Sequence, residues 1–310
     1  MVSPAVPVSR LKQVIRILAV FLLSVLPLAA ISAEKAVKPR ANVSAAQFTR
    51  DGEPNVKSTG VLVYDPTTGT TLFAKNAEQA APIASITKLM TAMVVLDANQ
   101  PLDEVIEIAA EDVDTLKNTH SRLPVGTRFR RDDLMRLALM ASDNRAAAAL
   151  GRTYPGGLAA CVEAMNAKAR LLGTGQTHYV DSSGLSPSNV SSPSDLGKIV
   201  AAAATYPIIT EYTTTGAVNV TLPDSKRKLS FVNTNALVGH SDWKIGLSKT
   251  GYINEAGKCL VMQAMIANQP VVIVLLDSWG RLTRIADANR IRKWLEKNPG
   301  KLAGVTLNPS

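Results

Sequence analysis

Apolar residues change period twice along this chain, and that alternation limits its fold more than any other feature. Residues 61–64 and 70–73 are rich in Val, Leu, Tyr, Thr and Phe and flank Asp65-Pro-Thr-Thr-Gly69, which predicts two strands joined as a hairpin. From Glu111 to about Thr205 the spacing is helical, with Leu134, Leu137, Ala138 and Met140 on one stripe. Inside that stretch Ser192, Pro193 and Asp195 form a helix start, with Ser192 at the cap and proline in the first turn. Beyond Thr213 the period returns to two: residues 218–222 and 228–232 flank Pro223-Asp-Ser225, and residues 259–266 and 271–276 flank Asn268-Gln-Pro270. A last amphipathic helix carries Leu282, Ile285, Ile291, Trp294 and Leu295. Strands, then a helical block, then strands again predict a helical insertion in a sheet-based lobe, with any functional site where the two meet.

The ends read differently. Arg10, Lys12 and Arg16 precede an apolar run over residues 17–31, broken by Pro27 and followed by small residues up to Ala33, which predicts an export signal over residues 1–33. The run is short for a membrane span, so cleavage between about Ala30 and Ala33 is expected, with no stable membrane anchor afterwards. The formal charge of +9 falls to +6 on cleavage, because three cations and no acid are lost. A basic exported protein suits an anionic polymer such as a cell wall. Residues 34–59 read as a flexible basic lead, residues 60–298 as the folded domain with its helical insertion at roughly 111–205, and residues 299–310 as a tail with too much Pro and Gly for a membrane-binding helix. Cys161 lies in an alanine-rich helical stretch and Cys259 in an apolar strand, so two buried thiols are expected rather than a disulfide. His120, His178 and His240 are scattered, and no metal, dinucleotide, phosphate-loop or nucleophile-elbow pattern is present, so neither cofactor nor metal nor nucleic-acid partner is implied.

Three short strings carry chemistry: Ser85-Ile-Thr-Lys88, Ser142-Asp-Asn144 and Lys249-Thr-Gly251. A serine three positions before a lysine also occurs at Ser9, Ser32, Ser225 and Ser241, so the first string alone says little. Its setting is informative, because Pro82 leads into Ile86, Leu89, Met90, Met93 and Val94 at helical spacing, and Ser85 then opens a helix. There Ser85 and Lys88 share a face one turn apart, beside the helix's positive end. Acyl transfer needs a momentarily deprotonated serine, and an ordinary lysine is too basic to serve at neutral pH. Burial and a second ammonium both lower a lysine pKa, so Lys88 near Lys249 is expected to be the neutral base while Lys249 keeps its charge. Asp143 is expected to orient its turn and the segment at Ser183-Gly-Leu185 to shape a loop; Arg281 and Arg284 are read as surface charges in preference to groups that reach a substrate carboxylate.

With these strings go Ser121-Arg-Leu-Pro-Val-Gly126, residues 137–146, Ser183-Gly-Leu185 and residues 243–252. Together they resemble the low-molecular-mass penicillin-binding proteins of the serine D-alanyl-D-alanine peptidase family, over most of residues 60–296. Within that family the likeness is strongest to the D-alanyl-D-alanine endopeptidases, the type conventionally numbered seven. The resemblance implies an α/β (α+β) fold of the β-lactamase/transpeptidase type: an antiparallel sheet flanked by helices, with a mostly helical subdomain. It implies Ser85 as nucleophile, Lys88 as its base, Ser142 as proton relay and Asn144 as a clamp on the substrate. Lys249 and Thr250 would bind the substrate near Gly251, and the backbone amides of Ser85 and Tyr252 would form the oxyanion hole. It further implies peptidoglycan stem peptides as substrates, β-lactam antibiotics as inhibitors and a periplasmic location. A D-alanyl-D-alanine carboxypeptidase, a class A-like β-lactamase and a non-catalytic wall-binding sensor are the alternatives. The β-lactamase reading lacks its deacylating glutamate, since residues 181–189 offer only Asp181.

Overall fold

A computed structural model describes residues 48–50, 52–222 and 227–302, so the predicted signal, most of the lead, the tip at residues 223–226 and the last eight residues lie outside the described residues. In chain order the elements are β1 (Gly60–Asp65), β2 (Thr70–Lys75), β3 (Ala81–Pro82), α1 (Lys88–Asp97), β4 (Val105–Glu107), β5 (Arg128–Arg130), α2 (Arg131–Met140), α3 (Asn144–Arg152), α4 (Gly157–Leu171), β6 (Val190–Ser191), α5 (Pro193–Ala203), α6 (Pro207–Thr214), β7 (Ala217–Thr221), β8 (Lys228–Val232), β9 (Lys244–Ile253), β10 (Gly257–Ile266), β11 (Gln269–Ser278) and α7 (Thr283–Lys297).

The main sheet has the order β2-β1-β11-β10-β9, and every pairing in it is antiparallel. It joins the two ends of the domain, because β1 pairs with β11 in the register Leu62↔Val274. Side chains alternate between faces along a strand, so one apolar strand can feed two cores. Val61, Val63, Ile273 and Leu275 meet Ala288, Ile291, Trp294 and Leu295 of α7 in one cluster. Leu62, Val272, Val274 and Leu276 join α5 residues Leu196, Ile199 and Val200 in the other. Each fully buried aliphatic side chain contributes about 1.5–3 kcal/mol, and the strands between helices carry many. Helix α1 is buried from Lys88 through Val95 and forms the axis of the helical part, packed among α2 to α6.

Five features differ from expectation. Residues 113–127 are not helical: Asp114 binds the amides of Leu116, Lys117 and Thr119, and Pro124 and Gly126 complete an irregular strap before β5. Helical structure also runs past Thr205 through α6. The lead was expected to be flexible up to Thr59, yet Val56 and Ser58 are buried. The reason is Asp287, which accepts from the amides of Lys57 and Ser58 at 2.9 and 2.8 Å and from Ser58 Oγ at 2.7 Å. In the last hairpin the turn is Ala267-Asn268, both with positive φ (48° and 63°), while Gln269 and Pro270 already belong to β11. Leu302, expected in the tail, is buried against the α7 cluster.

Cys161 and Cys259 are both buried and free, and burial pushes their thiols up to about 12 and about 11. No helix among the described residues is long and apolar enough to cross a membrane.

Asp287 is buried and also receives Arg290 Nη1 at 2.7 Å, so it ties the start of the domain to α7. Asp287→Ala should destabilise the protein by roughly 2–3 kcal/mol, read by denaturant unfolding, because several donors lose a charged acceptor at once.

Candidate active site

Ser85 lies in a single 3-10 turn, Ala84–Thr87, that runs directly into α1, and Lys88 is the first residue of that helix. The turn is held from several sides. Thr87 Oγ1 donates to Ala84 O at 2.8 Å and accepts from Asn189 Nδ2 at 3.0 Å, while the Ile83 amide donates to Asn189 O at 3.0 Å. Ala84 has φ +48°, an uncommon conformation for a residue with a side chain and a sign of local strain beside Ser85. Against it packs the loop at residues 181–189. Asp181 accepts from the amides of Ser183, Gly184 and Ser186 and from Ser183 Oγ, so its carboxylate is consumed in folding its own loop. Gly184 has φ +82°, and a Cβ there would lie 2.0 Å from Ala84 O.

That close approach places Ser183 O beside the Lys88 amine, and the side chain of Lys88 is 1% exposed. Lys88 Nζ has three partners: Ser183 O at 2.5 Å, Asn144 Oδ1 at 2.7 Å and Ser85 Oγ at 2.7 Å. The first two oxygens can only accept. A neutral amine has two N–H bonds for them and one lone pair left, and that lone pair faces the Ser85 hydroxyl.

The second string forms the joint between α2 and α3. Ser142 has φ +58°, Asp143 caps α3 by accepting from the Ala146 amide at 2.9 Å, and Asn144 begins the helix. Asp143 also accepts from Ser121 Oγ at 2.9 Å, which fits the orienting role expected for it. The third string lies on β9, the edge strand of the sheet. Lys249 is 1% exposed, and its Nζ donates to Ser142 Oγ at 2.8 Å and Thr250 O at 2.9 Å. Gly251 lets the strand approach the nucleophile turn, since a Cβ there would lie 2.8 Å from Ile83 O and 3.2 Å from the Ser85 amide nitrogen.

Burial lowers both amines. Lys88 falls to about 7 against the opposing pull of Asp181 and Asp143. Lys249 is depressed well below its ordinary value by burial first, then by the charges of Lys88 and Arg284. Lys249 is expected from the sequence to keep its charge; burial works against charge on both amines, and at Lys249 the neighbouring Lys88 and Arg284 add to it. An anion arriving in the cleft would favour charge on Lys249.

The walls come together around a cleft of about 400 Å³ lined by Ser85, Ser142, Asn144, Thr250, Gly251 and Tyr252, together with Thr234 and Arg284. All the sequence-predicted site residues except the two lysines line it, and the lysines lie directly behind, bonded to Ser85 and Ser142. Tyr252 is half exposed, its ring under Lys258 Nζ at 4.1 Å. Arg284, expected as a surface charge, instead lines the cleft, with Nη1 donating to Gly251 O and Cys259 O at 3.3 and 3.0 Å. Thr234 went unnoticed in the sequence because no motif surrounds it. Its Oγ1 accepts from Thr250 Oγ1 at 2.6 Å. No group of acidic, histidine or cysteine side chains suited to a metal occurs among the described residues.

A family model described as D-alanyl-D-alanine carboxypeptidase matches residues 47–279. The chain belongs to this family. It is a serine DD-peptidase with the β-lactamase/transpeptidase fold. It is 47% identical over 257 residues to a D-alanyl-D-alanine endopeptidase of Pseudomonas aeruginosa, covering 82% of this chain and 83% of that protein. To the D-alanyl-D-alanine endopeptidase of Escherichia coli it is 43% identical over 258 residues, covering 83% of each. Among solved structures it is similar to the DD-transpeptidase of Streptomyces K15, with a TM-score of 0.73 at 29% identity over 78% of this chain and 97% of that one. Penicillin-binding protein D2 of Listeria monocytogenes in its ampicillin-bound form gives a TM-score of 0.66 at 29% identity, over 78% of this chain and 99% of that one.

Gly184 carries the loop-to-nucleophile contact of this DD-peptidase. Gly184→Ala should lower penicillin acylation by at least about tenfold with a folded domain retained, because relieving a Cβ placed 2.0 Å from Ala84 O shifts the turn at Ser85 by about 1 Å, enough to misalign the attack. The checks are the acylation rate and a circular dichroism spectrum.

Proposed function

We propose that this protein cleaves D-alanyl cross-links between peptidoglycan stem peptides through an acyl-enzyme on Ser85. The observation that carries the reading is the position of the Lys88 amine, 2.7 Å from Ser85 Oγ with two obligate acceptors on its other sides, so that in its neutral form the lone pair is left for the serine. Ser85 attacks the scissile carbonyl and its proton passes to Lys88. The amides of Ser85 and Tyr252 stabilise the tetrahedral oxyanion, where each aligned donor typically contributes about 3 kcal/mol. Ser142, bonded to Lys249, relays a proton to the leaving amine, and water then releases the acyl group. Asn144 clamps the peptide backbone. A substrate carboxylate is met by Thr250, Thr234 and Arg284, and its charge favours protonation of Lys249.

Endopeptidase action is preferred over carboxypeptidase action on the strength of the two relatives at 47% and 43% identity. β-Lactams enter the same route as slow-leaving acyl groups. The carboxylate of Asp181 is fully engaged in its loop, so no base stands free there to hydrolyse a penicilloyl ester quickly. The basic, signal-like start supports export to the periplasm, and we assign residues 1–33 to the signal.

Catalysis needs neutral Lys88, so the penicillin acylation rate should rise with pH through a midpoint near 7, and Lys88→Arg should abolish it while the fold remains. Normal labelling of that variant would sink the base assignment. Digestion of defined cross-linked and uncross-linked muropeptides decides the substrate. Cross-linked dimers should yield monomers, and Ser85→Ala should yield none. Release of terminal D-alanine alone would replace the endopeptidase reading by a carboxypeptidase.

A further inference from the structure

The strap that replaces the expected start of the helical insertion touches the catalytic amine through one residue. We propose that Thr119, anchored by Asp114, is a positioning residue that sets the orientation of the Asn144 amide and thereby aims the Lys88 lone pair at Ser85. The inference rests on the reading of Lys88 as base.

The Asp114 carboxylate receives four donors: its Oδ1 accepts from the amides of Leu116 and Lys117 at 2.8 and 2.9 Å, and its Oδ2 from the amide and the hydroxyl of Thr119 at 2.8 and 2.6 Å. Burial pushes the Asp114 carboxyl up, but these bonds outweigh it and hold the group below the ordinary carboxylate value. A carboxylate has no proton to give, so the Thr119 hydroxyl hydrogen is committed to Asp114. What remains on Thr119 Oγ1 is lone pairs. The Asn144 atom 2.9 Å away must therefore be the amide nitrogen, and Oδ1 is turned toward Lys88 Nζ at 2.7 Å. With Oδ1 and Ser183 O each taking an N–H, only the lone pair is left for Ser85.

Were the Asn144 amide reversed, its NH2 would face Lys88 and draw the lone pair away from the serine. Nothing in the Ser142-Asp-Asn144 joint forbids that reversal, because the two ends of an amide have nearly the same shape. Thr119 supplies the preference. The strap is tied at its other side as well, where Lys117 Nζ meets Glu255 at 2.5 Å in the turn between β9 and β10. It thus runs from Asn144 to the turn between β9 and β10.

The test measures the acylation rate constant with a fluorescent penicillin on full-length protein. Thr119→Val keeps the shape and removes the hydroxyl. It should acylate about tenfold more slowly, the effect of one misplaced hydrogen bond. Thr119→Ser should come within about twofold of wild type. On an Asn144→Ala background, Thr119→Val should cost nothing further, since its effect runs through that amide. The thermal midpoint should be unchanged in Thr119→Val. Wild-type rates in Thr119→Val, a failure of Thr119→Ser to recover, or an undiminished loss on the Asn144→Ala background would each overturn the proposal. A lowered thermal midpoint shared by a Lys117→Ala variant of equal acylation loss would also overturn it, by reducing Thr119 to a loop anchor. Unlabelled wild type would sink the Ser85 reading itself, whereas labelled wild type with fully active Thr119→Val sinks only this inference.

Discussion

Two lysine side chains are buried in one cleft, and most of the surrounding architecture exists to tolerate them. Taking a charge out of water is costly unless it is paired or neutralised, and neither Lys88 nor Lys249 has a carboxylate as a direct partner. The structure answers with neutral oxygens: a backbone carbonyl, an amide oxygen and a hydroxyl at Lys88, and a hydroxyl and a carbonyl at Lys249. Such partners satisfy N–H bonds without holding the proton as an ion pair would. Burial among such partners brings the Lys88 amine down to about 7, the range that the proposed proton transfer from Ser85 requires.

Those oxygens come from segments far apart in the chain, which is why the site needs the whole domain. Ser183 O is delivered by a loop folded around Asp181, Asn144 by the start of α3, and Ser142 by a residue in a left-handed conformation. Two positions without side chains, Gly184 and Gly251, let the loop and the edge strand close on the nucleophile turn. The strain at Ala84 and Ser142 is sustained because rigid elements on either side over-determine it: α1 is buried nearly throughout, and β9 is paired with β10 along its length.

The contacts of the Lys88 amine suit the proposed transfer of the Ser85 proton to it. The one carboxylate of the neighbouring loop, Asp181, is occupied by four donors. Arg284 of α7 lines the cleft beside the edge strand, while the helical side supplies the uncharged hydrogen-bonding groups of Ser142 and Asn144.

Much of this was legible in residues 60–298 before any coordinates. Period-two and helical spacing located the terminal strands, the last helix and most of the insertion, because alternation of apolar side chains is a local consequence of which face is buried. The three strings named Ser85, Lys88, Ser142, Asn144, Lys249 and Thr250, since reactive types at fixed spacing are local too. What the sequence could not carry was long-range partnership. Asp287 fastening Ser58, Arg284 turning inward to Gly251 O, Thr234 meeting Thr250 and the depression of both lysines depend on residues tens to hundreds of positions apart. A pKa or a hydrogen bond belongs to a neighbourhood in space. Composition and order determined which groups were available, and only the tertiary structure decided which of them meet in a place dry enough to matter.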